Sequence, residues 1–262
     1  MDLFFRKFGK GQAFIIIHGL YGCSDNWVNI GKQLSEHFEV FIIDQRNHGQ
    51  SPHSIEHNYN VLKTDLKEFI DKHSLKNIIL LGHSMGGKTA MFFAAEYPQY
   101  IDKLIVVDIS PRSYNKTKST LLAHKIIIKA MYDIDFHNMK SRNEVDLILS
   151  KSLPDIRLRK FLLKNIKRSE NNELSWKLNI KTLKNELDNI VEGFDKNHTE
   201  IKGFPILFIK GAKSDYIKKK DKAFIFKIFP FAQIITIENA GHWIHVEQTD
   251  TFIKAIINFT TD

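Results

Sequence analysis

The sequence predicts an α/β fold with a mostly parallel sheet, and three observations carry that expectation. Short runs of β-branched and aromatic residues alternate with stretches whose apolar residues recur at helical spacing. The runs are apolar almost throughout, which suits strands covered by helices on both faces rather than a sheet with one wet side. The alternation breaks once, for about 90 residues after Ile109, where only helical patterns appear.

Taken in order, strands are predicted at residues 13–17, 39–44, 77–81, 103–109, 205–210 and 233–238. Helices fall between them at 24–38, 58–73, 85–96, 219–229 and 243–260. The long interval holds predicted helices at 117–131, 143–151, 155–167 and 183–191, and reads as a helical cap inserted into an α/β core. The expected division is a core of residues 1–110 and 201–262, with the cap at 111–200.

The bulk numbers agree with one large domain carrying an insertion. At roughly 150 residues per domain, a chain of 262 residues with 43% apolar and 26% charged residues has ample material for a buried core. No apolar stretch approaches the roughly 20 residues that cross a bilayer. The N-terminus, MDLFFRKFGKGQ, lacks the basic leader and long apolar region of a signal peptide, so a cytoplasmic location is expected. A single cysteine, Cys23, excludes an intrachain disulfide and a cysteine-rich metal site; it reads as a small packing residue.

The net charge of +8 alone invites a nucleic-acid partner, but its distribution argues otherwise. Residues 112–184 hold 17 basic and 7 acidic side chains, so the whole surplus lies in the predicted cap, where a lysine-rich solvated helical surface accounts for it. No nucleic-acid partner is expected.

The sharpest chemical signal is Gly82-His83-Ser84-Met85-Gly86, between a predicted strand and a predicted helix. A nucleophilic serine must project from a tight strand-to-helix turn, and glycine two residues to either side removes the Cβ atoms that such a turn would crowd. Ser84 is the expected nucleophile. The following helix aims its free N–H groups at the site, where a tetrahedral oxyanion would gather charge.

A serine hydroxyl needs a base. Of the 12 histidines, His242 stands out because it follows the last predicted strand in Asn239-Ala240-Gly241-His242-Trp243, at the sheet edge that presents Ser84. His245 reads as a surface residue on the final helix, His83 as packing within the elbow, and His18 and His48 as organisers of loops. The strand ending in His18-Gly19-Leu20 supplies a second oxyanion donor, the Leu20 N–H, beside that of Met85. The orienting acid is open between Asp108 and Asp215, which both lie at predicted strand ends; spacing does not choose between them.

Together these motifs resemble the α/β-hydrolase superfamily, and more narrowly its YbfF-like esterase and thioesterase branch. The resemblance runs almost end to end. It rests on His18-Gly19-Leu20, the loop from Asp44 to Ser51, the elbow from Gly82 to Lys88, Asp108-Ile109-Ser110-Pro111, Trp176-Lys177-Leu178-Asn179 and Gly241 to His245. It implies hydrolysis of short- to medium-chain acyl esters or acyl-CoA thioesters without metal or organic cofactor, and it maps the acid to Asp108. Asp215 is unusual for that branch and keeps the alternative placement open. Arg46 and His48 are expected to brace their loop. Tyr114, Phe136, Phe161, Trp176 and Phe194 are candidate linings of an acyl pocket, and the basic cap is a candidate rim for the phosphates of coenzyme A. Other chemistry on the same triad (C–C bond hydrolase, lyase, perhydrolase) and a non-catalytic binding protein are the competing readings; serine at position 84 disfavours an aspartate-nucleophile enzyme.

Overall fold

The computed structural model describes residues 1–115, 118–194 and 200–261. Seven strands form the central sheet: β1 (Phe5–Phe8), β2 (Ala13–Ile17), β3 (Glu39–Ile43), β4 (Ile78–His83), β5 (Ile101–Val107), β8 (Ile206–Gly211) and β9 (Gln233–Ile237), in the order β1-β3-β2-β4-β5-β8-β9. All neighbouring pairs are parallel except β1 with β3. The sheet is thus mostly parallel, as the sequence predicts.

The continuous apolar runs divide residue by residue between two cores. Ile15, Ile17, Leu80, Leu104, Val106 and Phe208 face one side, and Phe14, Ile16, Ile79, Leu81, Ile105, Val107 and Leu207 the other. Since successive side chains of a strand point to opposite faces, a strand with both faces covered needs apolar residues at every position. The first face is covered by α2 (Tyr59–Lys72) and α3 (Met85–Glu96), and the second by α1 (Val28–Leu34) and α11 (Thr249–Thr261). The short α10 (Ile244–Glu247) precedes α11, and α9 (Asp221–Ile228) joins β8 to β9. No helix among the described residues is long and apolar enough to cross a membrane.

Between β5 and β8 the chain leaves the sheet. This inserted segment contains α4 (Lys118–Tyr132), α5 (Arg142–Ser150), α6 (Ile156–Leu163), α7 (Ile180–Asn185) and α8 (Leu187–Ile190), with a two-stranded hairpin, β6 (Ile166–Arg168) and β7 (Leu174–Trp176). The expected helix start at Thr117 lies outside the described residues. The helix expected at 155–167 ends at Leu163, because Ile166 turns into the hairpin and is fully buried there.

Hydrogen bonds tie the segment to the loops at the sheet's rim. Asn179 donates from its backbone to Asn47 O (3.0 Å) and from its side chain to Asn47 Oδ1 (3.0 Å). Asn165 Nδ2 donates to Tyr21 O (2.7 Å), and Tyr59 Oη donates to Ile190 O. The rim loop itself is braced as expected. Arg46 makes a bidentate, buried ion pair with Asp65, with Nη2 at 2.8 Å from Oδ1, and Asp44 accepts from the backbone N–H groups of Ser24 and Gln50.

Candidate active site

Ser84 sits one residue past β4 and caps α3 with φ 54° and ψ −119°. This left-handed backbone is rare for a non-glycine residue and throws the side chain off the end of the sheet. Two close approaches make it possible. A Cβ at Gly82 would overlap the carbonyl oxygen of Gly86, and a Cβ at Gly86 would overlap those of Ile17 and His18. The loop after β2 comes equally near: a Cβ on Gly19 would lie 3.1 Å from that of Ser84.

Asp108 occupies the matching position one residue past β5. Its carboxylate is fully buried and accepts from Gly211 N–H (3.1 Å), from the Ser214 hydroxyl, and from His242 Nδ1 at 2.7 Å. Asp215 is placed differently. Its side chain is 93% exposed and lies 3.6 Å from Lys218 Nζ.

The imidazole of His242 is held from several sides. Tyr216 stacks on it, with ring centroids 4.0 Å apart and planes 17° from parallel. His83 approaches from another side, its centroid at 4.7 Å. His83 Nε2 also donates to the His242 carbonyl oxygen (2.9 Å), and burial holds the His83 pKa well below the usual histidine value, which keeps that ring neutral.

Two of the remaining histidines organise loops as expected. His18 Nε2 accepts from Gln45 N–H (3.0 Å), and His48 Nε2 accepts from Tyr21 N–H (3.3 Å). His245 departs from expectation. It is buried, not on the surface, stacked on Trp27 at 3.9 Å, with its pKa pushed down to about 3 by burial. The short α10 folds it under the elbow instead of carrying it outward.

Ser84 and His242 line one cavity of about 210 Å³, along with Gly19, Leu20, Tyr21, His124, Phe161, Tyr216 and Trp243 among others. Among the described residues, none that lines it is Lys, Arg, Asp or Glu. A smaller cavity of about 30 Å³ shares Leu20, Ser84, His124 and Tyr216 and adds Met85, Lys88 and Tyr114. Both expected oxyanion residues thus border the space around Ser84.

Of the five candidate lining aromatics, Phe161 reaches the larger cavity and Tyr114 the smaller. The other three are core residues. Phe136 packs edge-on against Trp176, whose Nε1 donates to Met131 O (3.0 Å), and Phe194 is buried beside Phe92 and Phe229. Cys23 is buried, its thiol pushed up to about 11, and is chemically quiet.

Sequence reasoning missed Ser214, Tyr216, His124 and Tyr21. A signal existed for the first two: both follow β8 at the sheet edge that carries the other site residues. His124 sits within an ordinary amphipathic helical pattern and has no such signal.

Residues 12–249 match the protein family described as alpha/beta hydrolase fold. The sn-1-specific diacylglycerol lipase ABHD11 of Danio rerio is 36% identical over 259 residues, spanning 96% of this chain and 80% of the relative. Esterase YbfF of Escherichia coli is 30% identical over 253 residues, spanning 97% and 94%. Among solved structures, a marine microorganism esterase superposes with a TM-score of 0.95 at 45% identity, covering 98% of this chain and 99% of that one.

Proposed function

This chain belongs to the α/β-hydrolase fold family, and from that premise we propose that it hydrolyses carboxylic esters through an acyl-enzyme on Ser84. The observation that carries the reading is the 2.7 Å contact between His242 Nδ1 and the buried Asp108, beside a cavity that His242 shares with a left-handed Ser84.

The chemistry follows from the protons. Asp108 accepts the Nδ1–H of His242, which fixes the tautomer whose Nε2 is a base. That nitrogen takes the Ser84 hydroxyl proton as the oxygen attacks the ester carbonyl. The tetrahedral oxyanion is met by the N–H groups of Leu20 and Met85, each contributing about 3 kcal/mol to transition-state stabilisation. Collapse expels the alcohol, which leaves with the proton held on His242. Water then attacks the acyl-enzyme by the same route and frees Ser84.

Similarity to an esterase at 45% identity and to a lipase at 36% supports ester hydrolysis as the reaction class. The cavity volume lies below the roughly 300–1,000 Å³ of common small-ligand pockets, which favours short to medium acyl groups. The inserted segment acts as the cap over this pocket. The acyl-CoA expectation rests on the charge of residues 112–184, since among the described residues the larger cavity's wall offers no Lys or Arg.

The test is direct. A fluorophosphonate should label Ser84 and nothing else in the folded protein. Ser84→Ala should abolish hydrolysis of p-nitrophenyl butyrate while keeping the thermal midpoint. Turnover surviving in that variant removes the proposal.

A further inference from the structure

Three polar atoms on residues lining the cavity have no use in the mechanism above. Among the described residues, the Tyr21 hydroxyl, His124 Nδ1 and His245 Nδ1 are buried with no hydrogen-bond partner; His245 lies apart, stacked on Trp27, while Tyr21 and His124 are neighbours. An unsatisfied buried polar group is costly, and the Tyr21 and His124 rings that carry two of them have centroids 5.9 Å apart. Both residues line the cavity that holds Ser84 and His242.

The pair is built, not accidental. Tyr21 is 2% exposed and sits at φ 63°, a left-handed backbone that a bulky side chain adopts only when its surroundings enforce it. The enforcement is visible at both ends of the residue: its N–H donates to His48 Nε2 and its carbonyl accepts from Asn165 Nδ2. On the other side, His124 Nε2 lies 3.2 Å from the Tyr216 hydroxyl. Burial holds the His124 pKa down to about 4, so the ring is neutral near pH 7 and carries one proton. A Tyr216 phenol donating to Nε2 leaves that proton on Nδ1, and one accepting from Nε2–H leaves Nδ1 an acceptor. In either tautomer His124 presents one unpaired neutral polar atom, and Tyr21 a hydroxyl that both donates and accepts.

We propose that Tyr21 and His124 form an oxygen-recognition subsite, so that the preferred substrates are neutral esters carrying a second oxygen function, a hydroxyl or carbonyl, near the scissile bond. This rests on the ester-hydrolase reading and narrows it. Two neutral hydrogen-bonding groups suit a hydroxyl or carbonyl oxygen, and among the described residues no Lys or Arg lines the larger cavity to serve a substrate carboxylate as counter-ion, Lys88 bordering only the smaller one. A site that hydrogen-bonds a substrate oxygen discriminates against the analogue lacking it, because the analogue leaves the protein groups unpaired.

The experiment measures kcat/KM for two matched pairs. On the acyl side these are the p-nitrophenyl esters of 3-hydroxybutyrate and butyrate; on the alcohol side, 2-hydroxyethyl butyrate and propyl butyrate. In one pair the wild-type enzyme should prefer the oxygenated member by at least about tenfold. Tyr21→Phe, which keeps the ring and removes only the hydroxyl, should cut that preference about tenfold, and His124→Phe should do the same. A wild-type ratio near one in both pairs overturns the inference, as does a ratio untouched by the two substitutions. If the wild type hydrolyses none of the four esters, the ester-hydrolase reading itself has failed. If it hydrolyses the plain members without preference, only the subsite has.

Discussion

Ser84 and Asp108 leave neighbouring parallel strands at the same level and both with positive φ, 54° and 49°. The register sets the level, since His83 of β4 pairs with Val107 of β5. Left-handed backbone at a non-glycine residue costs on the order of 1–3 kcal/mol, and here it occurs twice on adjacent strand ends, each time to aim a polar side chain over the rim.

The acid can be decided by two isosteric variants. Asp108→Asn should lower kcat by about 10³- to 10⁴-fold, the loss expected when the imidazole no longer has a carboxylate to hold its tautomer. Asp215→Asn should leave kcat within about twofold, since that side chain is 93% exposed. Steady-state kinetics on p-nitrophenyl butyrate gives both numbers, and the reverse ranking would reassign the acid.

Ser214 donates its hydroxyl to Asp108 Oδ2, the same oxygen that faces His242. It is a positioning residue, so Ser214→Ala should lower kcat by about tenfold while KM stays near its wild-type value, and Ser214→Thr should restore most of the loss. A change confined to KM, or to the thermal midpoint, would mean that Ser214 only supports the loop.

Gly86 has no room for a side chain. A Cβ there would overlap backbone carbonyl oxygens of β2 and of the loop after it, which cannot move aside as a flexible side chain can. Gly86→Ala should destabilise the protein by at least about 1–3 kcal/mol, visible in urea denaturation. Near-wild-type stability would show that helix and strand can separate without penalty.

Acid should weaken the fold through its buried histidines. His57 and His245 are both held down to about 3, below the roughly 6.5 of an unfolded histidine. The unfolded chain therefore binds more protons between those values. Their stabilisation is complete above about pH 6.5 and is lost as pH falls towards 3, with about 2 kcal/mol gone per histidine at pH 5. His245→Phe, which retains a ring to stack on Trp27, should show a shallower loss of stability from pH 7 to pH 5 than the wild type. Parallel stability curves would place the acid sensitivity elsewhere.

How much of this was legible in the sequence depended on how local the physical cause is. The buried strands were legible because a two-sided sheet demands apolar residues at every position, and 13–17 and 85–96 coincide with β2 and α3. Strand β1 was not: Phe5–Phe8 is a four-residue edge strand with no residue fully buried, so its apolar pattern is weak. The hairpin β6–β7 has three residues per strand, too few for any period to appear. In the site, Ser84 is announced by glycines that its own turn requires. The choice between Asp108 and Asp215 depends on which loop passes within reach of an imidazole 134 residues from Asp108 along the chain, and spacing cannot supply that. The lining aromatics show the same limit, because residue type says that Phe136 and Trp176 pack but not against what.

The stitching of the inserted segment to the sheet's rim bears on how a substrate gains admission. Its seams include the neutral hydrogen bonds Tyr21–Asn165, Asn47–Asn179 and Tyr59–Ile190, each involving a backbone carbonyl, and the ion pairs of Lys177 with Asp25 and of Arg112 with Asp221. A jaw swinging open would have to undo them together. A fixed aperture is what such riveting produces: guests are sorted by girth at the doorway.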